Sequence, residues 1–366
     1  MDNQARDEKW MKRALCLARN GEGLTRPNPP VGGVLLNGKG DCISEAWHRR
    51  AGGPHAEPQL LRDAGEAARG GTLFVTLEPC STHGRTPPCV DVILEAGVRR
   101  VVVGCRDPNP AHAGRGIRKL ARAGVAVTSG VCEAEAVALI EPFAAWVETG
   151  RPFVTLKLAM SLDGRIADAT HKSQWITGPE ARLEVQSLRR RVDAIVVGGG
   201  TVCADNPSLL PRPARGRQPW RVVLSSTCKL PTSAKVFTDA YRDRTLVVTT
   251  KRATASRKAA LERTGAEVLV VPERQGRPSL KAALRNLGKR GILHVLCEGG
   301  GEVAGSLVEQ DLVGEAWLFL APLWLGSQGS VSGLEGAGWL LPQAPRMTVC
   351  ETRVVGSDVL LRVRPR

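Results

Sequence analysis

Three metal-binding side chains set well apart in the chain, His55, Cys80 and Cys89, constrain this sequence more than any other feature, because a fold must bring them together. One imidazole and two thiolates supply three ligands, and a catalytic zinc keeps its fourth position for water. Cys80 follows an apolar run at 72–77 that reads as a strand, and Cys89 stands where a helix over 90–96 begins. Helix N-termini favour thiolate over thiol, so that placement suits cysteine ligation. Water on zinc ionises near neutral pH to a hydroxide nucleophile. Glu57, in His55-Ala56-Glu57, is placed to collect that proton and pass it to a leaving group. Two blander readings compete. The cysteines could be ordinary thiols near a turn, although the intervening loop at 81–88 is polar and rich in Gly and Pro for core thiols. The zinc could also be structural, with His83 as its fourth ligand.

The pattern around this constellation is that of a layered α/β protein. Trp10, Met11, Ala14, Leu15 and Ala18 recur at spacings of three and four, which predicts an amphipathic helix over 9–20. A short apolar strand over 31–36 and the Asn37-Gly38 turn follow, then a strand near 42–47. Helices over 56–68, 90–96 and 116–123 then alternate with strands over 72–77, 100–105 and 125–128, an order that builds a mostly parallel sheet covered by helices. A helical connector over 133–148 ends at Thr149-Gly150-Arg151-Pro152, which sets the expected boundary between domains 1–150 and 151–366. Beyond it, apolar strands near 153–158, 194–197, 221–224, 245–249, 268–271 and 294–297 interleave with helical stretches, a second α/β domain.

At 366 residues the chain exceeds what one core usually serves. Its apolar run at 316–325 is broken by Pro322 and falls short of a bilayer span, and no apolar segment suited to a secretory signal opens the sequence. A cytoplasmic protein is expected. Cys16, Cys105, Cys132, Cys203 and Cys297 are scattered singly and are expected to be buried, reduced thiols. A net charge of +15 invites a nucleic-acid partner, yet the arginines come in short blocks on apparent helices, with no basic tail and no interleaved aromatics. The expected partner is a phosphorylated small molecule, with no nucleic acid and no membrane; a homo-oligomer is left open.

The order His-x-Glu then Pro-Cys is that of zinc deaminases, but eight residues separate Cys80 from Cys89 where nucleic-acid and nucleoside deaminases have two. Four ordered motifs, Arg26-Pro-Asn-Pro-Pro-Val-Gly, Gly53-Pro-His-Ala-Glu57, Leu77-Glu-Pro-Cys with Thr86-Pro-Pro-Cys89, and Asp107-Pro-Asn-Pro, together resemble the bifunctional deaminase/reductase family of riboflavin biosynthesis. Pro58 departs from that pattern, but the first helical turn tolerates proline. The resemblance implies a cytidine-deaminase-like α/β/α domain that hydrolyses an amino group from a diaminopyrimidinone carrying a ribosylamino 5′-phosphate. It also implies that Asn28 and His48 meet the pyrimidine or ribose, while Arg85, Asp107 and Asn109 hold the phosphate end.

In the second half, glycine clusters at Gly198-Gly199-Gly200-Thr201 and Glu298-Gly299-Gly300-Gly301 follow apolar strands and let backbone approach a ligand. A Rossmann reading fails, because no acidic residue stands about twenty positions beyond the second cluster. The family resemblance extends through Lys157-Leu-Ala-Met-Ser-Leu-Asp-Gly-Arg165, Ser173-Gln-Trp-Ile-Thr177 and Gly200-Thr-Val-Cys-Ala-Asp-Asn-Pro207. It implies a dihydrofolate-reductase-like α/β domain that uses NADPH to reduce the ribosyl chain to ribityl. Ala159, Trp175, Thr201, Asp205, Gly300, Gly301, Glu302, Val303, Ala304, Gly305 and Ser306 would then lie along the cofactor, with Ser226 a further candidate. Ser173, Arg189, Leu209, Arg212 and Glu298 would surround the sugar phosphate, and Lys157 and Asp205 would orient the open chain or shuttle a proton.

Overall fold

A computed structural model describes residues 3–83, 87–214 and 216–366, which divide into two compact units at Gly150 and Arg151. In the first unit, α1 (Asn3–Arg19) precedes β1 (Gly32–Leu36), β2 (Cys42–Trp47), α2 (Ala56–Ala64), β3 (Thr72–Leu77), α3 (Cys89–Glu95), β4 (Arg100–Cys105), α4 (Arg115–Arg122), β5 (Ala126–Ser129) and α5 (Glu133–Thr149). The five-stranded sheet runs β2-β1-β3-β4-β5, with β1 antiparallel to both neighbours and β3, β4 and β5 parallel. Alternation along the strands splits the core in two. Val34, Leu36, Phe74 and Val102 pack against α1 and α5, while Leu35, Leu73, Val75, Val101 and Val103 pack with α2, α3 and α4. The first helix begins earlier than its apolar stripe indicates. Its opening turns are polar, and the buried Asp7 ties them to Arg100 on β4 at 2.9 Å.

The second unit contains β6 (Phe153–Ser161), β7 (Arg165–Ala167), α6 (Pro179–Arg191), β8 (Ala194–Gly198), α7 (Gly199–Asp205), β9 (Trp220–Leu224), α8 (Lys235–Thr238), β10 (Thr245–Thr249), α9 (Ala255–Glu262) and β11 (Glu267–Val270). It continues with β12 (Glu273–Arg274), β13 (Arg277–Pro278), α10 (Leu280–Lys289), β14 (His294–Cys297), α11 (Gly301–Glu309), β15 (Glu315–Ala321), β16 (Val331–Ser332), β17 (Met347–Val355) and β18 (Asp358–Pro365). Nine strands form one sheet, β11-β10-β9-β8-β14-β6-β15-β18-β17. The strands from β11 to β15 in that order are parallel, and β18 and β17 close the edge as an antiparallel hairpin. Along β8, Ala194 and Val196 enter one core cluster while Ile195 and Val197 enter the other, as in a sheet covered on both faces. That double burial explains the uninterrupted apolar runs in the sequence.

β14 returns between β6 and β8, so the loops after β8 and β14 leave neighbouring strands at their carboxyl ends, where ligands bind in open parallel sheets. Both glycine clusters lie there. The ten cysteines are all free, but burial of the scattered ones is mixed. Cys105 and Cys297 are buried, Cys132 is half-buried, and Cys16 and Cys203 are exposed, against expectation. The last two sit on outward positions of α1 and α7, where apolar neighbours in sequence do not mean apolar neighbours in space. Among the described residues no helix is long and apolar enough to cross a membrane.

Candidate active sites

The first site forms where α2 and α3 begin and the chain leaves β3. His55 is the residue before α2, Cys80 follows β3 and Cys89 opens α3. Their ligand atoms all lie within 4.8 Å of one another, with His55 Nδ1 3.2 Å from Cys89 Sγ and 3.7 Å from Cys80 Sγ. The backbone N–H of Cys89 donates to Cys80 Sγ at 3.3 Å, the helix N-terminus meeting a thiolate. Hydrogen bonding from Cys89 holds the Cys80 thiol well below its ordinary value. This donor set, one imidazole and two thiols with Nδ1 turned inward, suits zinc. His83 is exposed and stands outside this group.

Glu57 lies in the first turn of α2, only 3% exposed, and its Oε2 has no hydrogen-bond partner. Burial pushes its carboxyl up, with His55 opposing. A buried carboxylate oxygen without a partner beside three metal ligands is a group awaiting a proton or a ligand. His48, buried and edge-on to His55 at 5.2 Å, places Nδ1 3.0 Å from the Pro54 carbonyl and Nε2 3.3 Å from Asn28 Nδ2. Burial lowers its pKa, which favours the neutral ring. A carbonyl only accepts, so Nδ1 carries the hydrogen and Nε2 accepts from Asn28. Asn28 and His48 thus form one unit on the wall of the site.

Asp107 and Asn109 follow β4 and cap their own turn: the Asn109 N–H donates to Asp107 Oδ1 at 2.8 Å and the Ala111 N–H to Asn109 Oδ1 at 3.0 Å. Arg85 falls outside the described residues. The residue that sequence reasoning passed over is Glu78. Buried at 3% exposure, it accepts from the backbone N–H groups of Asp107 (3.3 Å), Gly114 (2.8 Å), Gly116 (2.9 Å) and Ile117 (3.2 Å). It thereby pins the Asp107 loop and the start of α4 beside Pro79-Cys80. Gly116 is required at this contact, since a Cβ there would stand 2.1 Å from the Pro79 carbonyl oxygen. An acidic residue at the end of an apolar strand was the available signal, because a buried carboxylate demands donors.

The second site lies at the carboxyl ends of β6, β8 and β14. Arg189 on α6 and Glu298 after β14 make a two-point ion pair, both contacts 2.6 Å, with side chains 12% and 9% exposed. Arg189 also donates to the Leu210 carbonyl at 3.1 Å, next to the buried Leu209. Burial alone would raise the Glu298 carboxyl, but Arg189 and then Lys157 hold it below its ordinary value. Lys157, on β6, is pushed down by burial and by Arg189, with Glu298 and Asp205 opposing. Ser173 donates to Asp205 Oδ1 at 2.8 Å. Ser173–Asp205 and Arg189–Glu298, drawn from distant parts of the chain, are therefore two polar pairs within electrostatic reach of Lys157.

The remaining candidates spread around it. Ala159 lies on β6 opposite Phe319, and Thr201 on α7 faces Gly300, the residue before α11. Glu302, Val303 and Ser306 line a surface cavity, whereas Gly301, Ala304 and Gly305 turn inward, the two glycines packed on the segment around Glu335. The Ser226 carbonyl, after β9, accepts from Thr250 Oγ1 at 2.9 Å. Trp175 is 62% exposed beneath the guanidinium of Arg182, and Arg212 is exposed and anchored by its backbone N–H to Gln186. Among the described residues, neither is hydrogen-bonded to Arg189 or Glu298.

Comparison with known proteins shows the family to which both units belong. Residues 4–105 match the model of the cytidine and deoxycytidylate deaminase zinc-binding region, and residues 152–361 match the RibD C-terminal domain. The riboflavin biosynthesis protein RibD of Escherichia coli (strain K12) is 41% identical, with 98% of this chain and 99% of that protein covered. The chain belongs to the RibD family. Among solved structures, Acinetobacter baumannii RibD aligns with a TM-score of 0.88 at 36% identity over 100% of both chains. The diaminohydroxyphosphoribosylaminopyrimidine deaminase/5-amino-6-(5-phosphoribosylamino)uracil reductase of Thermotoga maritima aligns at 0.86 and 36%, over 99% of each. RibD membership makes this chain a zinc-dependent deaminase joined to an NADPH-dependent reductase, a riboflavin-biosynthesis enzyme of two α/β units.

Proposed function

We infer that the first unit removes an amino group hydrolytically from a phosphoribosylated diaminopyrimidine, and that the second reduces the ribosyl chain of the product to ribityl. The observation that carries the first step is the convergence of His55, Cys80 and Cys89 beside the unpartnered carboxylate oxygen of Glu57. His55 Nδ1 and the two thiolates would hold zinc, which supplies Lewis acidity that brings the ionisation of water to near neutral pH. Glu57 takes the proton released from the attacking water and delivers it to the amine as ammonia departs. Asn28 and His48 present an N–H and a ring edge to the pyrimidine. At the ribose phosphate end, Arg85 and Asn109 take the phosphate and Asp107 accepts from a ribose hydroxyl; Asp107 Oδ2 and Asn109 Nδ2 make no hydrogen bond among the described residues.

In the second unit, Lys157 and Asp205 orient the opened sugar, and Glu298 holds Arg189 beside its phosphate. NADPH supplies the reducing equivalents, and Lys157, its pKa lowered by burial, passes a proton to the opening ribosylamine. Ser173, Arg189, Leu209 and Arg212 bind the sugar phosphate, while Ala159, Trp175, Thr201, Ser226 and the start of α11 receive the dinucleotide. A small phosphorylated substrate is favoured over a polynucleotide by the long loop between Cys80 and Cys89 and by the reductase unit. Incubation with the diaminopyrimidinone ribotide, with and without NADPH, tests this reading. Ammonia must appear in both cases, and NADPH absorbance must fall only after deamination; cofactor oxidation without prior ammonia release would reverse the order.

A further inference from the structure

The short hairpin β12–β13 projects beyond the carboxyl ends of β10 and β11. Its turn residues Gln275 and Gly276 both have positive φ, 51° and 76°, the requirement of a two-residue turn whose twist matches its strands. Arg252, at the end of β10, braces that turn by donating to the Gly276 carbonyl at 3.1 Å. The consequence is that Arg274 and Arg277 are direct cross-strand partners. Residues so paired share a face, and like charges placed opposite each other repel. Arg277 meets Glu302, in the first turn of α11, at 2.6 Å, and Arg274 makes no ion pair among the described residues. Two arginines are thus held opposite each other across a tight turn, and of the two only Arg277 has a carboxylate partner among the described residues.

Both arginines line one cavity with Leu224, Leu280, Val303 and Ser306. Leu224 ends β9, two residues before Ser226, and Val303 and Ser306 belong to α11. The cavity therefore combines an apolar floor of Leu224, Leu280 and Val303 with two arginines and Glu302, at the carboxyl edge of the parallel strands. Fork-shaped guanidinium groups recognise phosphate by paired hydrogen bonds.

We propose that Arg274 and Arg277 bind the 2′-phosphate of the dinucleotide and make this unit selective for NADPH over NADH. The proposal rests on the reductase reading of the second unit. The apolar floor takes the adenine, and the phosphate replaces Glu302 on Arg277 while neutralising Arg274. Because the 2′-phosphate is the sole difference between the two cofactors, a charge pair here discriminates them without touching the reacting end.

Calorimetric titration of the full-length chain tests this without catalysis, using NADP+, NAD+, 2′,5′-ADP and ADP as ligands. Both arginines are exposed, so Arg274→Ala and Arg277→Ala keep the fold, which equal melting temperatures verify. Each variant is expected to weaken NADP+ and 2′,5′-ADP by about tenfold or more, a loss set by one charge-assisted pair, while NAD+ and ADP change by less than about twofold. Unchanged NADP+ affinity in both variants, or an equal loss for NAD+, overturns the proposal. If the unaltered chain binds neither dinucleotide, the reductase reading itself falls, a result distinct from either of those.

Discussion

Replacing Glu78 by Gln perturbs a single oxygen yet should destabilise the first unit severely. Oε1 accepts from Gly116 and Ile117, and Oε2 from Asp107 and Gly114. Whichever way the amide turns, its NH2 faces two backbone N–H donors that are buried with it. Two hydrogen bonds to a charged acceptor are lost, at roughly 1.5–3 kcal/mol each, so the cost is about 3–6 kcal/mol. With a urea slope of roughly 2 kcal/mol/M, a loss of about 4 kcal/mol lowers the unfolding midpoint by about 2 M. Pulsed hydrogen exchange across a urea series, read on peptides from β3 and β4, reports this unit separately from the second. A midpoint shift under about 0.5 M, equivalent to about 1 kcal/mol, would refute the claim that Glu78 holds the Asp107 loop and α4 against the Cys80 turn.

Glu57→Gln should retain zinc, measured by atomic absorption, while ammonia release falls by about 10²–10⁴-fold; activity within tenfold of the original would remove Glu57 as the proton carrier. Glu298→Gln leaves Arg189 as an uncompensated buried charge and should cost the second unit about 3–5 kcal/mol in urea unfolding, whereas Arg189→Met with Glu298→Leu should cost much less than the two single changes together. His294 on β14 has its pKa lowered by burial to about 4, with Glu315 opposing and Arg191 adding to the effect. Its Nε2 donates to Thr155 Oγ1 at 2.8 Å, and that hydroxyl donates to Glu315 at 3.0 Å. The unfolded chain binds the proton first, so stability falls as pH drops from about 6.5 toward 4, by about 2 kcal/mol between pH 7 and pH 5. The difference in unfolding midpoint between those pH values should shrink in His294→Gln, and an unchanged difference would show that other groups cause it.

Much of the fold was legible because its signals are local. The apolar stripe of α1, the alternating strands and helices through β5, and the doubly buried runs of β8, β9 and β10 each reflect one face or two faces of burial. The hairpin of β17 and β18 was not legible. β17 is an edge strand whose residues are mostly exposed, so Thr348, Glu351, Thr352 and Arg353 interrupt any apolar pattern, and its place is decided by β15, which pairs with β18. In the candidate sites, the ligand residue types announced themselves by spacing, whereas Glu78 and the Arg274–Arg277 pair did not, because their partners are backbone groups and a strand register.

By itself the sequence determined residue chemistry and local periodicity: which side chains could bind a metal, which segments could bury a face, and where glycine let the chain turn. Tertiary structure decided which of those residues meet. His55, Cys80 and Cys89 share a few ångströms because a loop and two helix starts lie together at one part of a sheet, and Lys157, Arg189 and Glu298 meet because β14 returns between β6 and β8. Spacing in a chain limits what can touch, but strand order and burial select among the possibilities, since only packing repays the entropy of holding distant residues together.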